Sequence, residues 1–491
     1  MNLAIIIIYS LFSLFIISYS IVQLSLVFSY LKNRKKIAEH LVEFADTDEI
    51  PMVTVQLPVY NELYVIERLI DCCAQFNYPA DKLEIQVLDD STDETVEIIS
   101  KRVAHWKNQG VDIHHIQRPE RVGFKAGALD YGMNICKGEF IAIFDADFVP
   151  EKDFLLKTIP YFQDQEIGVV QTRWEHINKE YSLLTKLQAF ALDAHFSVEQ
   201  GGRNAAGHFI NFNGTAGVWR KLAIEDGGGW KADTLTEDLD LSYRSQLKGW
   251  KFLFKEEIGS PAELPAEMNS LKAQQYRWTK GAAECTVKNL AKVMKHDKYH
   301  FWTKINAIFH LMNSFLFIAI FIIAMLSIPL FIIKQQHPEL QTFFNFATIS
   351  LFSFAVIGVM YFTSFAKSYD NKGIAFLHFM YYFPLFLSFS MGLSFHNSIA
   401  VIEGYAGKKT PFVRTPKFNL NKKSGNWKGT VYSKTKIKWV TIVEGLLSSY
   451  FIYGIFLCFS WGDYGMLPFF FLLSLGFGVI FSLSLKHSIR R

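Results

Sequence analysis

Asp145 and Asp147 stand one residue apart at the end of the apolar run "IAIFDADFVP" (141–150). Two like charges closing a buried strand are costly unless something pairs with them. Hard divalent cations take oxygen ligands, and Mg2+ is commonly shared between one or two carboxylates and substrate phosphates. A metal-diphosphate site is the chemistry this spacing suits. Its place after a hydrophobic strand favours that account over a surface turn. A second acidic pair, Asp89 and Asp90, sits in "LEIQVLDDSTDET" (83–95). A third cluster, Glu237, Asp238 and Asp240, lies in "TLTEDLDLSYR" (234–244), where a helix dipole alone would also favour acids in the first turn. "QQYRW" (274–278) brings Gln274, Arg277 and Trp278 together. Arg can pair with a diphosphate and Trp can stack on a sugar ring, although Arg and Trp also collect at membrane interfaces. Lys125, in "GFKAG" (123–127), either approaches phosphate oxygens or is a solvated lysine. "FNGTAGVWR" (212–220) has the Gly turns and small polar residues of a loop that a ligand approaches closely.

These groups need a frame. "MVTVQLPVYNE" (52–62) reads as a strand ending at a Pro, followed by an amphipathic stretch. The run 83–95 reads as a second strand and then a helix with Ser91 or Thr92 as N-cap. "VDIHHIQR" (111–118) is a third strand, 123–134 a Gly-opened helix, and "EFIAIFDAD" (139–147) a fourth strand. Strands rich in Ile and Val that alternate with helices predict a mostly parallel sheet covered on both faces. Ligands of such sheets sit beyond the carboxyl ends of the strands, where Asp89, Asp90, Asp145 and Asp147 all fall.

Membrane-compatible sequence flanks this α/β region. Residues 3–31, 305–333, 343–366, 374–402, 439–461 and 464–485 are apolar stretches, long enough or nearly so to cross a bilayer. The first lacks a basic leader and is too long for a signal peptide, so it reads as a retained anchor. The net charge of +4 says little, but its distribution says more. "KNRKK" (32–36), residues 408–438 and "KHSIRR" (486–491) are basic and hug the spans, which predicts that all three lie in the cytoplasm and argues against nucleic acid as a partner. Parity then requires that one stretch between the soluble domain and the 408–438 loop not cross. The polar "SFHNSIAVIEGYAG" (394–407) singles out 374–402 as interfacial or re-entrant. The expectation is five crossings, with six as the alternative. The five scattered Cys show neither zinc spacing nor a disulfide framework.

Taken in order, "QLPVYNE", "QVLDDSTDET", "FKAGAL", "AIFDADF", "FNGTAGVWR", "LKGWKF" and "QQYRW" resemble family 2 glycosyltransferases of the processive, membrane-embedded kind. The resemblance is nearest to the plant cellulose synthase-like proteins that make mannan and glucan backbones, and it is strong over residues 50–285. It implies a GT-A fold inserted between transmembrane helices and an inverting transfer from a nucleotide sugar. By matching position, Asp89 and Asp90 contact the nucleotide, with Tyr60 and Glu62 nearby. Asp147 and Asp145 hold Mg2+ or Mn2+ on the diphosphate, and Lys125 joins the nucleotide-sugar site. Asp238 is the general base. Trp278 stacks on the acceptor, Gln274 and Arg277 line the acceptor and diphosphate region, and Glu237 joins the acceptor side. "FVRTPK" (412–417) resembles a cellulose synthase gating loop, Phe412, Thr415 and Lys417 matching and Arg414 replacing a Val.

The implied organisation is a transmembrane helix (1–31), a cytoplasmic catalytic domain (45–265), interface helices (266–302), two transmembrane helices (303–366), the interfacial segment (374–406), a gating-like loop (407–438) and two further transmembrane helices (439–485). A bacterial inner membrane is the expected location. The expected activity is hexosyl transfer from GDP-mannose or UDP-glucose to a growing β-linked polysaccharide, passed through the protein's own spans. Two other readings remain open: one-sugar transfer to a lipid acceptor, and a non-catalytic nucleotide-sugar binder.

Overall fold

The computed structural model describes residues 2–38, 44, 49–411, 413–420 and 437–489. A long helix, α1 (Asn2–Ala38), precedes a sheet domain. The strands are β1 (Val53–Val59), β2 (Leu83–Asp89), β3 (Ile113–Ile116), β4 (Phe140–Ile143), β5 (Ile167–His176), β6 (Gly217–Arg220) and β7 (Lys251–Ala262), in the order β3-β2-β1-β4-β6-β5-β7. The first four are parallel. β6 runs against both β4 and β5, and β7 is parallel to β5.

Alternation along β1 explains the two layers. Val53, Val55, Leu57 and Val59 pack on α2 (Ile66–Ala74) and α3 (Thr95–Asn108). Ile141 and Ile143 of β4 face the other way, against α4 (Phe124–Met133). Thr54 and Gln56 also point away from the valines. The register places them beside Glu84 and Gln86, and they bond at 2.6 Å and 3.1 Å, so buried polar groups meet their own kind. Val59 pairs with Asp89 and Gln56 with Ile143, which brings the ends of β1, β2 and β4 to one rim.

One helix start differs from the sequence expectation. α3 begins at Thr95, not after Ser91 or Thr92. Those two residues are committed elsewhere: the Ser91 hydroxyl accepts from the Asn61 N–H (2.9 Å), and the Thr92 N–H donates to Asn61 Oδ1 (2.8 Å). The loops after β1 and β2 are thereby tied together at the rim.

Next come α5 (Leu183–Ala194), α6 (Glu237–Leu247) and the long α7 (Met268–Lys295), which leads into α8 (Phe301–Leu311) and α9 (Phe315–Gln336). After them run α10 (Leu351–Phe365), α11 (Lys372–Gly392), α12 (Ser394–Tyr405), α13 (Trp439–Trp461) and α14 (Leu467–Ile489). Among the described residues, six helical segments are long and apolar enough to cross a membrane, one before the sheet domain and five after it. Contacts at the helix ends mark two sides. At the far side Asn2 meets His337 (3.1 Å), and Lys334 meets Asp463 (2.6 Å). At the sheet side Tyr30 bonds Glu256 of β7 (2.9 Å), and His487 accepts the Met268 N–H (3.0 Å).

α11 starts on the sheet side and runs into the helical bundle, where the Ser388 hydroxyl donates to the Leu472 carbonyl (2.7 Å) and Met391 packs with Phe470 and Leu473. Lys372 at its start bonds the Ala366 carbonyl (2.6 Å), one residue from Lys367, which is itself paired with Glu256. Its far end feeds α12, whose His396 meets the Lys272 carbonyl of α7 (3.0 Å). Between its ends, Phe379, Phe386 and Phe389 pack with Leu184, Leu187 and Phe190 of α5 and with Met268 and Leu271. Length and apolarity thus qualify six helices, α11 among them.

Candidate active site

A cleft of about 180 Å3 opens at the rim where β1, β2, β4 and β5 end, roofed by α7 and by residues 414–417. Its walls include Tyr60, Glu62, Asp90, Lys125, Asp145, Asp147, Glu237, Asp238, Gln274, Arg277, Trp278, Arg414, Thr415 and Lys417. Residues 350 positions apart in sequence therefore share one cavity. Asp89 is not part of the wall. Its carboxylate turns into the fold, accepting from the Ser91 N–H (2.8 Å) and meeting His115 Nε2 (2.8 Å). Burial would raise its pKa, but His115 and Ser91 outweigh that and hold it below the usual range. Phe412 lies outside the described residues.

At one end of the cleft Asp90, Asp145 and Asp147 each have a cation. Arg118 forks onto Asp90 at 2.7 Å and 2.6 Å, and its remaining N–H groups hold the carbonyls of Val122 and Phe124, so it also fixes the loop before α4. The Arg121 guanidinium lies over the Tyr60 ring, 3.3 Å from its centroid. Lys125, in the first turn of α4, donates to Asp145 (2.5 Å) and to the Gly214 carbonyl (2.8 Å). Burial would depress the Lys125 ammonium, but Asp145 and Glu237 outweigh it and the net direction is upward.

Asp147 is held by Lys417 (2.6 Å), which also donates to the Glu263 carbonyl (2.5 Å). The loop carrying Lys417 is clamped further. Glu263 accepts the N–H groups of Phe418 (2.9 Å) and Leu420 (3.1 Å), and Arg68 bonds Asn419 (2.6 Å). Arg414 lies 3.4 Å from Glu62 and 3.4 Å from the Tyr60 carbonyl. The Arg in place of a Val thus has a partner on the β1 rim. Burial pushes the Glu62 carboxyl up to about 8, against the pull of Arg414.

The other end is different. Asp238 sits at the start of α6, its Oδ1 accepting the Leu239 N–H (2.8 Å). Burial, then the adjacent Glu237, pushes it up to about 7. Burial raises Glu237 as well. Asp240, from the same cluster, turns away and is buried with Arg244 (2.8 Å), Lys288 (2.9 Å) and Asn289 (2.9 Å). Gly214, at φ +79°, approaches from the opposite wall. A Cβ there would lie 2.9 Å from Asp238 Oδ2 and 3.6 Å from Lys125 Nζ, so the left-handed turn and the missing side chain both matter. Gln274 and Trp278, four residues apart, share one face of α7 and line the cleft. Trp278 meets Trp174 of β5 at 6.3 Å between centroids.

Sequence reasoning missed Arg118, Arg121, Trp174, His176 and Glu263. Trp174 and His176 carried a signal, since they alternate at a strand's carboxyl end, the rim that holds the other groups. Glu263 carried none, because its role depends on a segment 150 residues away.

A model of the glycosyl transferase family 2 matches residues 54–226. The chain is 35% identical over 406 residues to glucomannan 4-beta-mannosyltransferase 2 of Arabidopsis thaliana, with 79% of this chain and 72% of that protein covered. It is 43% identical over 273 residues to a probable glucomannan 4-beta-mannosyltransferase 11 of Oryza sativa subsp. japonica, with 55% of this chain covered. The chain spans about half the length of this and another rice relative, 47% and 49%. Among solved structures, a mannosyltransferase from Pyrobaculum calidifontis in complex with GDP-Man and Mn2+ aligns with a TM-score of 0.51 at 18% identity, over 81% of this chain and all of that one. That likeness is one of fold.

Proposed function

The chain belongs to glycosyl transferase family 2, and on that premise we propose that it is an inverting β-mannosyltransferase of the membrane, extending a β-linked polysaccharide from GDP-mannose. The supporting observation is that Asp145, Asp147, Asp238, Arg277 and Trp278 line one cleft where the sheet domain meets the helical segments. The names of the plant relatives favour GDP-mannose over UDP-glucose as donor, and a glycan over a lipid as acceptor. The sheet domain is cytoplasmic in this reading, because the basic segments flank the helix ends on its side. The membrane is a bacterial inner membrane, and the product passes through the protein's own helices.

The chemistry follows from the side chains. A sugar hydroxyl is a weak acid, so attack on the anomeric carbon needs a base within hydrogen-bond reach. Asp238 is that base, at a pKa suited to neutral pH. Attack from its side, opposite the leaving diphosphate, inverts the anomeric carbon and turns an α-linked donor into a β-linked product. Lys125 and Arg277 supply fixed positive charge where the leaving group becomes more anionic. Tyr60, Glu62, Asp90 and Arg121 frame the nucleotide, while Asp89 acts one step back by fixing the rim. Trp278 stacks on the acceptor sugar, with Gln274 and Glu237 beside it.

Asp145 and Asp147 fit Mg2+ or Mn2+. Both already carry a cation, the ammonium groups of Lys125 and Lys417. Among the described residues no group of three His, Cys, Asp or Glu could hold a metal, so two carboxylates completed by a diphosphate are the ligand set that suits a hard ion. The ion would neutralise the diphosphate. Lys417 would have to leave Asp147 for that, which would give the segment carrying Arg414, Thr415 and Lys417 a gating role.

The test is incubation of membranes with labelled GDP-mannose or UDP-glucose. Label from GDP-mannose in a polymer that β-mannanase degrades is the expected result. Label confined to the organic-solvent extract would instead mark a glycolipid synthase.

A further inference from the structure

Two buried nitrogens at the acceptor end lack a hydrogen-bond partner among the described residues: Trp174 Nε1 and Asn213 Nδ2. Both residues line the cleft. Buried N–H groups are rarely left unpaired, and a ligand is one of the few reasons that they are. Neither residue is loose. The Trp174 ring is wedged against Phe148 (5.5 Å) and Phe196 (5.2 Å). Asn213 is fixed by its N–H to Gln171 (2.9 Å) and by Asn211, which donates to its Oδ1 (2.6 Å).

Trp174 and Trp278 are not parallel. Their planes meet at 54°, so the two indoles form a corner rather than a slot. A pyranose stacked on the face of one indole turns its hydroxyl edge toward the other. Asn213 precedes Gly214, which lies against the Asp238 carboxylate. The cleft therefore combines an aromatic face, two unpaired N–H donors and a base. His176, two residues beyond Trp174 on the same strand face, adds a ring whose Nε2 is 3.4 Å from Asp193 and not aligned to bond it.

From this arrangement we infer that Trp174 and Asn213 are acceptor-binding residues, and that they select a sugar over a lipid alcohol. A sugar carries ring hydroxyls for both donors in addition to the one that Asp238 activates. A lipid alcohol has one hydroxyl, and its methylenes would leave both donors as unpaired as they are in the empty cleft. Each donor that a sugar pairs strengthens its binding by about tenfold. The inference rests on the transferase reading above and deepens it by naming what sets the acceptor class.

Trp174→Phe keeps the ring and removes only the N–H. The first readout is equilibrium binding of mannotetraose to the purified full chain by calorimetry, which needs no turnover. The dissociation constant is expected to rise five- to tenfold. In the assay with GDP-mannose, KM for mannotetraose rises by the same factor, while kcat, the KM for GDP-mannose and its hydrolysis to GDP without acceptor stay within twofold. Unchanged mannotetraose binding in Trp174→Phe overturns the inference. So does a wild-type chain that extends diacylglycerol in vesicles more efficiently than mannotetraose. A wild-type chain that binds mannotetraose through Trp174 yet never releases GDP would leave the acceptor assignment standing and defeat the transferase reading instead.

Discussion

The two ends of the cleft differ in how their aspartates are paired. At the donor end three acids are matched from within, Arg118 on Asp90, Lys125 on Asp145 and Lys417 on Asp147, while burial raises the Glu62 carboxyl beside Arg414. At the acceptor end Asp238 and Glu237 are raised by burial, and Trp174 Nε1 and Asn213 Nδ2 are unpaired. A diphosphate brings charge, so its end is held neutral and must exchange partners on loading. A sugar brings only hydroxyls, so its end can wait incomplete. The donor end is thus a site of exchange, and the acceptor end one of completion.

The largest effect that probes this contrast is at Asp238. Asp238→Asn removes the proton acceptor and is expected to lower kcat by about a hundredfold to ten-thousandfold, with donor affinity within threefold. Asp147→Asn should do the reverse, weakening metal-dependent donor binding by tenfold or more. Titration of GDP binding in the presence of Mn2+ separates the two. Equal loss of donor affinity in both variants would erase the distinction between the ends.

Next comes pH. Because Asp238 must be ionised to accept a proton, and its carboxyl is raised to about 7, kcat/KM should fall tenfold per unit below that pH. Glu237 is one cause of the shift, so Glu237→Gln should move the acid limb to lower pH. A limb that stays in place would assign the titration to another group.

How much of this was legible beforehand follows the same division. The carboxylates of the donor end could be read from sequence, because strand-end acids after apolar runs announce themselves locally. So could the α/β frame, from its alternation of Ile- and Val-rich strands with helices. The antiparallel β6 could not be read, since "GVWR" has no mark of direction. Nor could the turning inward of Asp89 beside Asp90, which depends on a His115 that arrives from β3. The cations that pair the donor end come from three separate segments, and no spacing rule links Lys417 to Asp147 across 270 residues. Trp174 is ambiguous in sequence for a physical reason as well: a Trp in a strand normally signals core, and its place at the carboxyl end of β5 is the one local sign against that.

Lys417→Met sharpens the exchange argument with a smaller effect. With its ammonium gone from Asp147, the metal no longer competes for that carboxylate. The half-saturating Mn2+ concentration for GDP binding should fall by about tenfold, the equivalent of one charge-assisted hydrogen bond. A rise instead would mean that Lys417 helps to hold the diphosphate after leaving Asp147.

The smallest effect is expected at Arg414. Its partner Glu62 is raised to about 8, so at pH 7 that carboxyl keeps its proton and the pair is a guanidinium beside a neutral acid. The sign follows from the raised value. In the folded chain Glu62 holds a proton that the unfolded chain has already lost. Its contribution to stability is therefore fully present below the ordinary carboxyl range and is lost as the pH rises toward 8. Arg414→Val removes the charge that pulls Glu62 downward, which moves its titration higher still. At pH 7 the melting temperature should shift by no more than a degree or two, because little charge is lost from the pair. At pH 9 the wild type has an ionised Glu62 facing Arg414, whereas the variant must bury that carboxylate without a partner, and the variant's deficit should widen. A deficit as large at pH 7 as at pH 9 would mean that the pair is ionised throughout, and that the donor end holds its loop by charge at Arg414 as firmly as at Lys417.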